Sequence, residues 1–328
     1  MSNPRVLCLG EVLFDCLADQ LGKPLDEVES WTPYPGGAPA NVACALVKLG
    51  ISAGFIGAVG EDAPGNDLVK LLTDVGVEIA GVQRHPTAPT RQVYVVRSLS
   101  GDRNFAGFGD YDTAEFADTR LDGSKIPEWL FQAADVLVFG TLELAYPESG
   151  QAVRRALELA QKYDLKIILD VNWRPVFWHN QEAAPPIIRE LFPYVDFIKL
   201  AKEEAEWLFN STDPGAIKNR LDSVEGVLIT DGENGCTYCL DESEGQVPAF
   251  KVDVVDTTGA GDSFLAGFTH QLLTRGVKAL GNPQIAEQAI IYASAVGALT
   301  TLKPGAIASQ PTLQEVDAFL QGRVGSWE

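Results

Sequence analysis

Apolar residues recur along this chain in two rhythms. Short, continuous apolar runs at Val6–Leu9, Ala53–Val59, Val136–Phe139, Ile167–Val171, Val195–Leu200 and Val227–Thr230 predict buried strands. Between them the period lengthens to that of a helix. Asn41–Leu49 places Val42, Ala45, Leu46 and Leu49 on one face and stops at Gly50. Leu68, Leu71, Leu72 and Val75 mark a second helix, ended by Gly76, and Val153, Ala156, Leu157 and Ala160 a third. Further helices are predicted from about Glu203, around Phe264–Leu273 and over Ile285–Thr300. Strands that are apolar throughout, alternating with helical stretches, predict a mostly parallel sheet covered on both faces.

Val12–Leu17 and Arg91–Leu99 do not follow that pattern. They read as strands with no helix beside them. In the second, Val93, Val95 and Arg97 alternate with Gln92, Tyr94 and Val96. Two-faced strands of this kind suit a small sheet standing off the main layer. We therefore expect one domain over 1–328, with a lid built from about 12–34 and 90–108.

Polar groups collect where the apolar strands stop. Asp15 follows Val12–Phe14, and Glu143 follows Val136–Gly140. Asp170, Asn172 and Arg174 lie at the end of Ile167–Val171, Lys199 closes Val195–Ile198, and Thr230-Asp231 closes Val227–Ile229. Open α/β sheets bind ligands outside the carboxyl ends of their strands. One polar strand end is ordinary loop chemistry, but several together point to a crevice for a polyhydroxy or phosphorylated ligand.

Two glycine-rich segments sharpen this picture. Gly36-Gly37-Ala38-Pro39-Ala40-Asn41 leads into a helix. Paired glycines let a backbone approach a ligand closely, and Asn41 is either a cap or a sugar contact. Asp256-Thr257-Thr258-Gly259-Ala260-Gly261-Asp262 leads into a helix with Phe264, Phe268 and Leu272 on its apolar face. Gly259, Ala260 and Gly261 then sit at a helix N-terminus, where bare N–H groups and the dipole favour an anion. The segment is not a GxxxxGK[ST] loop, and it lacks the third glycine of the dinucleotide fingerprint. Asp262 in the first turn could simply cap the helix, but Asp256 and Thr258 already offer caps. A carboxylate beside an anion hole meets both needs of phosphoryl transfer: a base for the acceptor hydroxyl, and stabilisation for the transferring oxygens.

Composition narrows the partners. The 328 residues carry a net charge of −20. An acidic surface repels nucleic acid and anionic membrane, so neither is expected as a partner. A phosphate ligand then needs a local exception. No apolar run is long enough for a membrane helix. The opening residues MSNPRVLCLGEVLFDC do not read as a secretory leader, which gives an expectation of the cytoplasm. The five cysteines fit a reducing compartment. Cys236-Thr-Tyr-Cys239 falls in a predicted strand, where residues three apart point to opposite faces, so a metal or redox role is not expected. The sequon Asn210-Ser-Thr212 reads as chance.

PGGAPANVA (35–43), with Gly50 and Gly60 downstream, resembles the N-terminal signature of PfkB-type (ribokinase-like) carbohydrate kinases. DTTGAGDSFLAGF (256–268) resembles their C-terminal signature. The resemblance runs from GEVLFD (10–15) to GALTTLKPGAIASQPT (297–312). It implies a ribokinase-like three-layer α/β core with a mostly parallel central sheet and a small β lid. It also implies ATP and Mg²⁺, with K⁺ in many members. By motif, Asp262 resembles the catalytic base, and Gly259, Ala260 and Gly261 resemble the anion hole. Asp15, Gly36, Gly37, Asn41 and Glu143 match sugar-contacting positions, with Arg91, Asn172 and Arg174 bearing on the choice of sugar. Lys199, Thr230, Gly232 and Gly235 match nucleotide-side positions. Ser294, in the small-residue helix Ala293–Gly297, and Gly305 would flank adenine. Asp256, Thr258 and carbonyls in 300–309 would hold the monovalent cation.

GEVLFD, GGAPANVA, DxNxR and VDTTGAGD look most like fructokinases, with fructose 6-phosphate as product. Two departures stand out. The family's NxxE motif reads Ala201-Lys-Glu-Glu204, which keeps Glu204 for Mg²⁺ through water but has no Asn. Phe108-Gly-Asp-Tyr-Asp-Thr113 lacks an Arg that many fructokinases carry after the lid strands. The alternatives are 2-keto-3-deoxygluconate, ribose or another sugar as acceptor, and a sugar-binding homologue without catalysis. Relatives often pair through the lid, which implies a homodimer.

Overall fold

The computed structural model describes residues 3–99 and 103–322. Strands β1 (Val6–Leu9), β2 (Leu13–Ala18) and β3 (Trp31–Gly36) precede helix α1 (Ala38–Lys48). Then come β4 (Ala53–Gly60), α2 (Ala63–Val75), β5 (Glu78–His85), β6 (Gln92–Arg97) and β7 (Arg103–Gly107). A run of β/α units follows: β8 (Val136–Phe139), α3 (Pro147–Lys162), β9 (Lys166–Asp170), α4 (Ala184–Arg189), β10 (Phe197–Ala201), α5 (Lys202–Phe209), α6 (Pro214–Lys218) and β11 (Gly226–Thr230). The hairpin β12 (Cys236–Leu240) and β13 (Ser243–Val247) leads to helices α7 (Ala260–Arg275), α8 (Pro283–Thr300), α9 (Ala306–Ser309) and α10 (Leu313–Gln321).

Nine strands form one sheet in the order β13-β12-β11-β10-β9-β8-β1-β4-β5. The pairings from β5 to β11 are parallel, and among the described residues the β11–β12 and β12–β13 pairings of this sheet are antiparallel. The apolar runs are explained by burial on both faces. Val6 and Cys8 of β1, Val136 and Val138 of β8, and Ile168 of β9 join one core with α1, α7 and α8. Their neighbours Leu7, Leu9, Leu137, Phe139, Ile167 and Leu169 join a second core with α3. The chain is thus three-layered. From β1 it proceeds through β4 to β5 on one side, and from β8 through β9 to β11 on the other. The reversal between β1 and β8 opens a crevice at their carboxyl ends.

The second sheet has the order β3-β2-β6-β7. It contains β2 (Leu13–Ala18), one residue later at each end than the expected Val12–Leu17, and β6 (Gln92–Arg97) within the expected Arg91–Leu99, while 100–102, within the expected lid, lies outside the described residues. β3 gave no strand signal because Pro33 and Pro35 interrupt it; as the edge strand it tolerates the missing N–H groups. Trp31 packs edge-on against Tyr94 across this sheet, with ring centroids 4.9 Å apart.

Helix α1 starts three residues earlier than the periodicity of Asn41–Leu49 suggests, at Ala38, with Gly37 at φ 103° as its cap residue. Pro39 fits the first turn, where its missing N–H is no loss. Asn41 therefore lies inside the helix and does not cap it, which frees its side chain to reach across the crevice. Among the described residues, no helix is long and apolar enough to cross a membrane.

Candidate active site

Helix α7 begins at Ala260, with Gly259 as its cap residue at φ 76° and no side-chain cap. The expected caps are engaged elsewhere. Asp256 Oδ1 accepts from Thr258 N and Thr258 Oγ1, at 3.0 and 2.7 Å, and Oδ2 accepts from Gly305 N at 2.9 Å. Ala260 N donates to Thr257 O at 3.2 Å, so of the expected anion-hole amides this one is already occupied. First-turn amides have no acceptor within the helix, which leaves Gly261 and Asp262 presenting theirs. A Cβ on Gly259 would come within 2.7 Å of Ala306 Cβ, and one on Gly261 within 3.2 Å of Lys199 Nζ. Glycine at 259 lets the loop lie this close to α9, while a side chain at 261 would push on the Lys199 ammonium.

Asp262 accepts a hydrogen bond from Asn41 Nδ2 at 2.7 Å, joining α7 to α1 across 221 residues of sequence. Burial, and then the Asp170 carboxylate, push its pKa up; Asn41, Lys199 and Arg174 oppose that. Lys199 is buried and donates to Asp170 Oδ1 and Oδ2 at 3.0 and 3.2 Å. Burial alone would lower the Lys199 pKa, but Asp170, Glu204 and Asp262 hold it above the ordinary value, so it stays charged. Glu204 accepts from Trp173 N at 2.5 Å and Ala201 N at 2.7 Å. It thereby fixes the turn after β9 to the start of α5. In this chain with net charge −20, the local exception for a phosphate is one buried ammonium beside one bare helix start.

The residues expected on the sugar side lie around the β1/β8 crevice and past the end of β9. Gly37 has φ 103°, and a Cβ there would sit 2.4 Å from Glu11 O. A Cβ on Gly36 would sit 3.0 Å from Asp15 Oδ2. Glu143 is buried beneath them, and neither of its carboxyl oxygens has a hydrogen-bond partner. Asn41 Oδ1 is likewise buried without a partner. Asn172, at φ 38°, and the exposed Arg174 lie past the end of β9. Arg174 is close enough to Asp262 to favour its ionised form.

Arg91 is placed differently from the expectation of a sugar contact. Its side chain is 0% exposed and pairs with Asp118 through Nε at 2.5 Å and Nη2 at 2.9 Å. Nη1 and Nη2 also donate to Thr113 Oγ1 and O at 2.9 and 3.0 Å, and the rings of Phe116 and Phe177 lie over the guanidinium. With its donors committed inside the fold, it anchors the head of β6 and is not available to a sugar. The small-residue stripe of α8 also has another cause. A Cβ on Gly297 would meet Ala260 O at 3.1 Å, and one on Gly267 would meet Ala293 Cα at 2.9 Å. The small residues let α7 and α8 touch; Ser294 beside them is half-buried.

The remaining nucleotide-side positions divide. Thr230 ends β11 beside Gly232, where a Cβ would meet nothing within 4 Å. At Gly235, a Cβ would come within 2.0 Å of Val247 O, so the chain's own hairpin accounts for that glycine. Gly305, at φ 84°, lies 3.5 Å (from its would-be Cβ) from the Tyr34 ring of β3. Sequence reasoning missed Glu11 and Asp118, both buried acids. Charged residues inside apolar surroundings were the available signal, at Val6–Phe14 for the first.

A family model described as pfkB family carbohydrate kinase matches residues 3–313. A curated relative, probable fructokinase-5 of Arabidopsis thaliana, is 32% identical over 325 residues, covering 98% of this chain and 99% of its own length. Among solved structures, fructokinase from Xylella fastidiosa with bound ATP superimposes with a TM-score of 0.87 at 27% identity, covering 97% of this chain and 98% of that one. A double mutant of fructokinase from Vibrio cholerae O395, in fructose-, ADP- and potassium-bound form, matches with a TM-score of 0.81 at 26% identity, covering 97% and 99%.

Proposed function

The chain belongs to the pfkB family of carbohydrate kinases, and from that premise we propose that it transfers the γ-phosphoryl group of ATP to the 6-hydroxyl of D-fructose. It is an ATP-dependent sugar kinase with a ribokinase-like α/β core. Fructose as acceptor rests on the fructokinase relatives and on GEVLFD and DxNxR. The observation that carries the reading is Asp262, held by Asn41 at 2.7 Å on an uncapped helix start beside Lys199.

In this reading Asp262 takes the proton of the acceptor hydroxyl as the oxygen attacks phosphorus. Asn41 holds one carboxylate oxygen and leaves the other free. The amides of Gly261 and Asp262, with Gly259 shaping the turn, meet the negative charge that spreads over the transferring oxygens. Lys199 faces the same point from β10. Asp15, Gly36, Gly37, Asn41 and Glu143 line the sugar side; Asn172 and Arg174 border it. Thr230, Gly232, Ser294 and Gly305 line the nucleotide side. The four-stranded sheet acts as a lid that excludes water, and two copies meet through it.

No group of three or more His, Cys, Asp or Glu able to hold a metal is found among the described residues. This suits Mg²⁺, which keeps its waters and binds largely through substrate phosphates. Both Glu204 oxygens already accept amides, so Glu204 would act through a water. When bound, Mg²⁺ neutralises charge on the β- and γ-phosphates. Asp256 and Thr258, with carbonyls of 300–309, give the hard-oxygen set suited to K⁺, which would order the anion-hole loop.

A panel of acceptors tests the reading by ADP release with and without K⁺. Fructose should give the highest kcat/KM. Preference for 2-keto-3-deoxygluconate or ribose would overturn fructose but keep the reaction class, and sugar binding without ADP release would overturn both.

A further inference from the structure

Gln310 follows α9 and is 5% exposed. Its Nε2 donates to the backbone oxygen of Asn41 at 2.8 Å, joining positions 269 residues apart in sequence. A backbone acceptor fixes which way the amide lies. Oε1 therefore points elsewhere, and it is buried with no partner among the described residues. Neither end of this contact needs it for satisfaction. As a carbonyl inside α1, Asn41 O also accepts the amide one turn on. A buried amide oxygen left unpaired is destabilising. An apolar side chain of the same size would cost the fold no more, so stability does not explain a glutamine at 310.

Its place between two parts of the site does explain it. The Asn41 backbone is held on both sides, through N to Gly37 O at 2.8 Å and through O to Gln310. Its side chain donates to Asp262 at 2.7 Å. The segment that ends in Gln310 also supports the anion-hole loop. Gly305 N donates to Asp256 Oδ2 at 2.9 Å, Asp256 Oδ1 holds Thr258, and a Cβ on Gly259 would lie 2.7 Å from Ala306 Cβ. Ser309 Oγ donates to Gly305 O and to Ala306 O, which keeps this segment compact. At the far end of α1, Lys48 Nζ donates to Ile307 O. Residues 305–310 thus reach Asp262 through α1 and the anion hole through Gly259.

We propose that Gln310 is a positioning residue for phosphoryl transfer: its amide sets the first turn of α1 against α9, so that Asn41 holds the Asp262 carboxylate in a fixed orientation beside the anion-hole loop. This role rests on the reading of Asp262 as the base. Two ties, one near each end of α1, keep that helix from pivoting over α9. Without Gln310 the Lys48 tie remains, and the first turn, with Asn41, is free to shift. Displacing a reacting group by about 1 Å can cost about 10²-fold in rate.

The test begins with Gln310→Met, which keeps the length of the side chain and removes both the donor and the unpaired oxygen. Its melting temperature should match or exceed that of wild type. With the acceptor that gives the most ADP release, its kcat should fall by about 10–10²-fold, with KM for ATP unchanged. Asn41→Ala keeps the backbone oxygen that Gln310 bonds but cuts the link to Asp262. In that background, Gln310→Met should lower kcat no further. A single variant with wild-type kcat would overturn the positioning role. So would an equal loss of kcat in both backgrounds, or a loss that tracks a lowered melting temperature. The ligand-free crystal structure of Gln310→Met tests the role without any acceptor. Asn41 Nδ2 should leave Asp262, and a contact kept at 2.7 Å would contradict the proposal. If wild type releases no ADP with any sugar, the kinase reading falls instead, and that structure still decides whether Gln310 sets Asn41 against Asp262.

Discussion

At the phosphate end of the site Asp170 faces Lys199 at 3.0 Å, Glu204 takes two backbone amides and Asp262 takes Asn41. At the sugar end, a few residues away, Glu143 takes no donor and Arg91 beside it is committed to Asp118. The phosphate end is therefore complete before any ligand arrives, as preorganised electrostatic stabilisation requires. In the proposed function the other end is completed by the hydroxyl-rich ligand that enters it. Under the proposed function, a site so divided suits a neutral polyol where its carboxyls are unsatisfied and an anion where its cation is held still.

Five variants break or sharpen that contrast. The largest effect belongs to Asp262→Asn, which keeps the bond to Asn41 but cannot take a proton. Steady-state turnover should fall by about 10²–10⁴-fold, with both KM values within a few-fold of wild type. Lys199→Met should lower turnover by about 10²–10³-fold and also destabilise the fold, because Asp170 is left charged and buried. The double variant Asp170→Asn/Lys199→Met should regain stability in denaturant titrations but not turnover. Arg91→Met should cost about 3–5 kcal/mol of stability by stranding Asp118, whereas a sugar contact would raise KM with stability unchanged. The smallest effect is on the acid limb of kcat. Burial and Asp170 raise Asp262, so activity should be lost as pH falls through a value above the ordinary aspartate range. Arg174→Gln, which removes an opposing positive charge, should move that limb slightly higher still, in a kcat–pH profile.

The parallel core was legible because strands buried on both faces leave unbroken apolar runs, as at Val6–Leu9 and Val136–Phe139. β3 was not, because its prolines obey an edge rule that depends on which strand it pairs with. Asp262 and its bare helix start could be read from GAGD alone, since a first-turn acid after close-set glycines is a local feature. Asn41 was readable as a candidate but not as the partner of Asp262, because only the α1–α7 crossing brings them together. Arg91 misled for the same reason. A cation at a strand head looks like a ligand contact until Asp118, in a turn 27 residues on, is seen to hold it. Glu11 was hidden in an apolar run as one acid among the 45 Asp and Glu of the chain.

The most direct measurement is the position of the acceptor hydroxyl in a crystal structure of this protein with fructose and a non-hydrolysable ATP analogue. The account places the 6-hydroxyl within about 2.6–3.2 Å of the Asp262 carboxylate, with the terminal phosphate over the start of α7. A hydroxyl beyond hydrogen-bond reach of Asp262, with that carboxylate still held by Asn41, would contradict it.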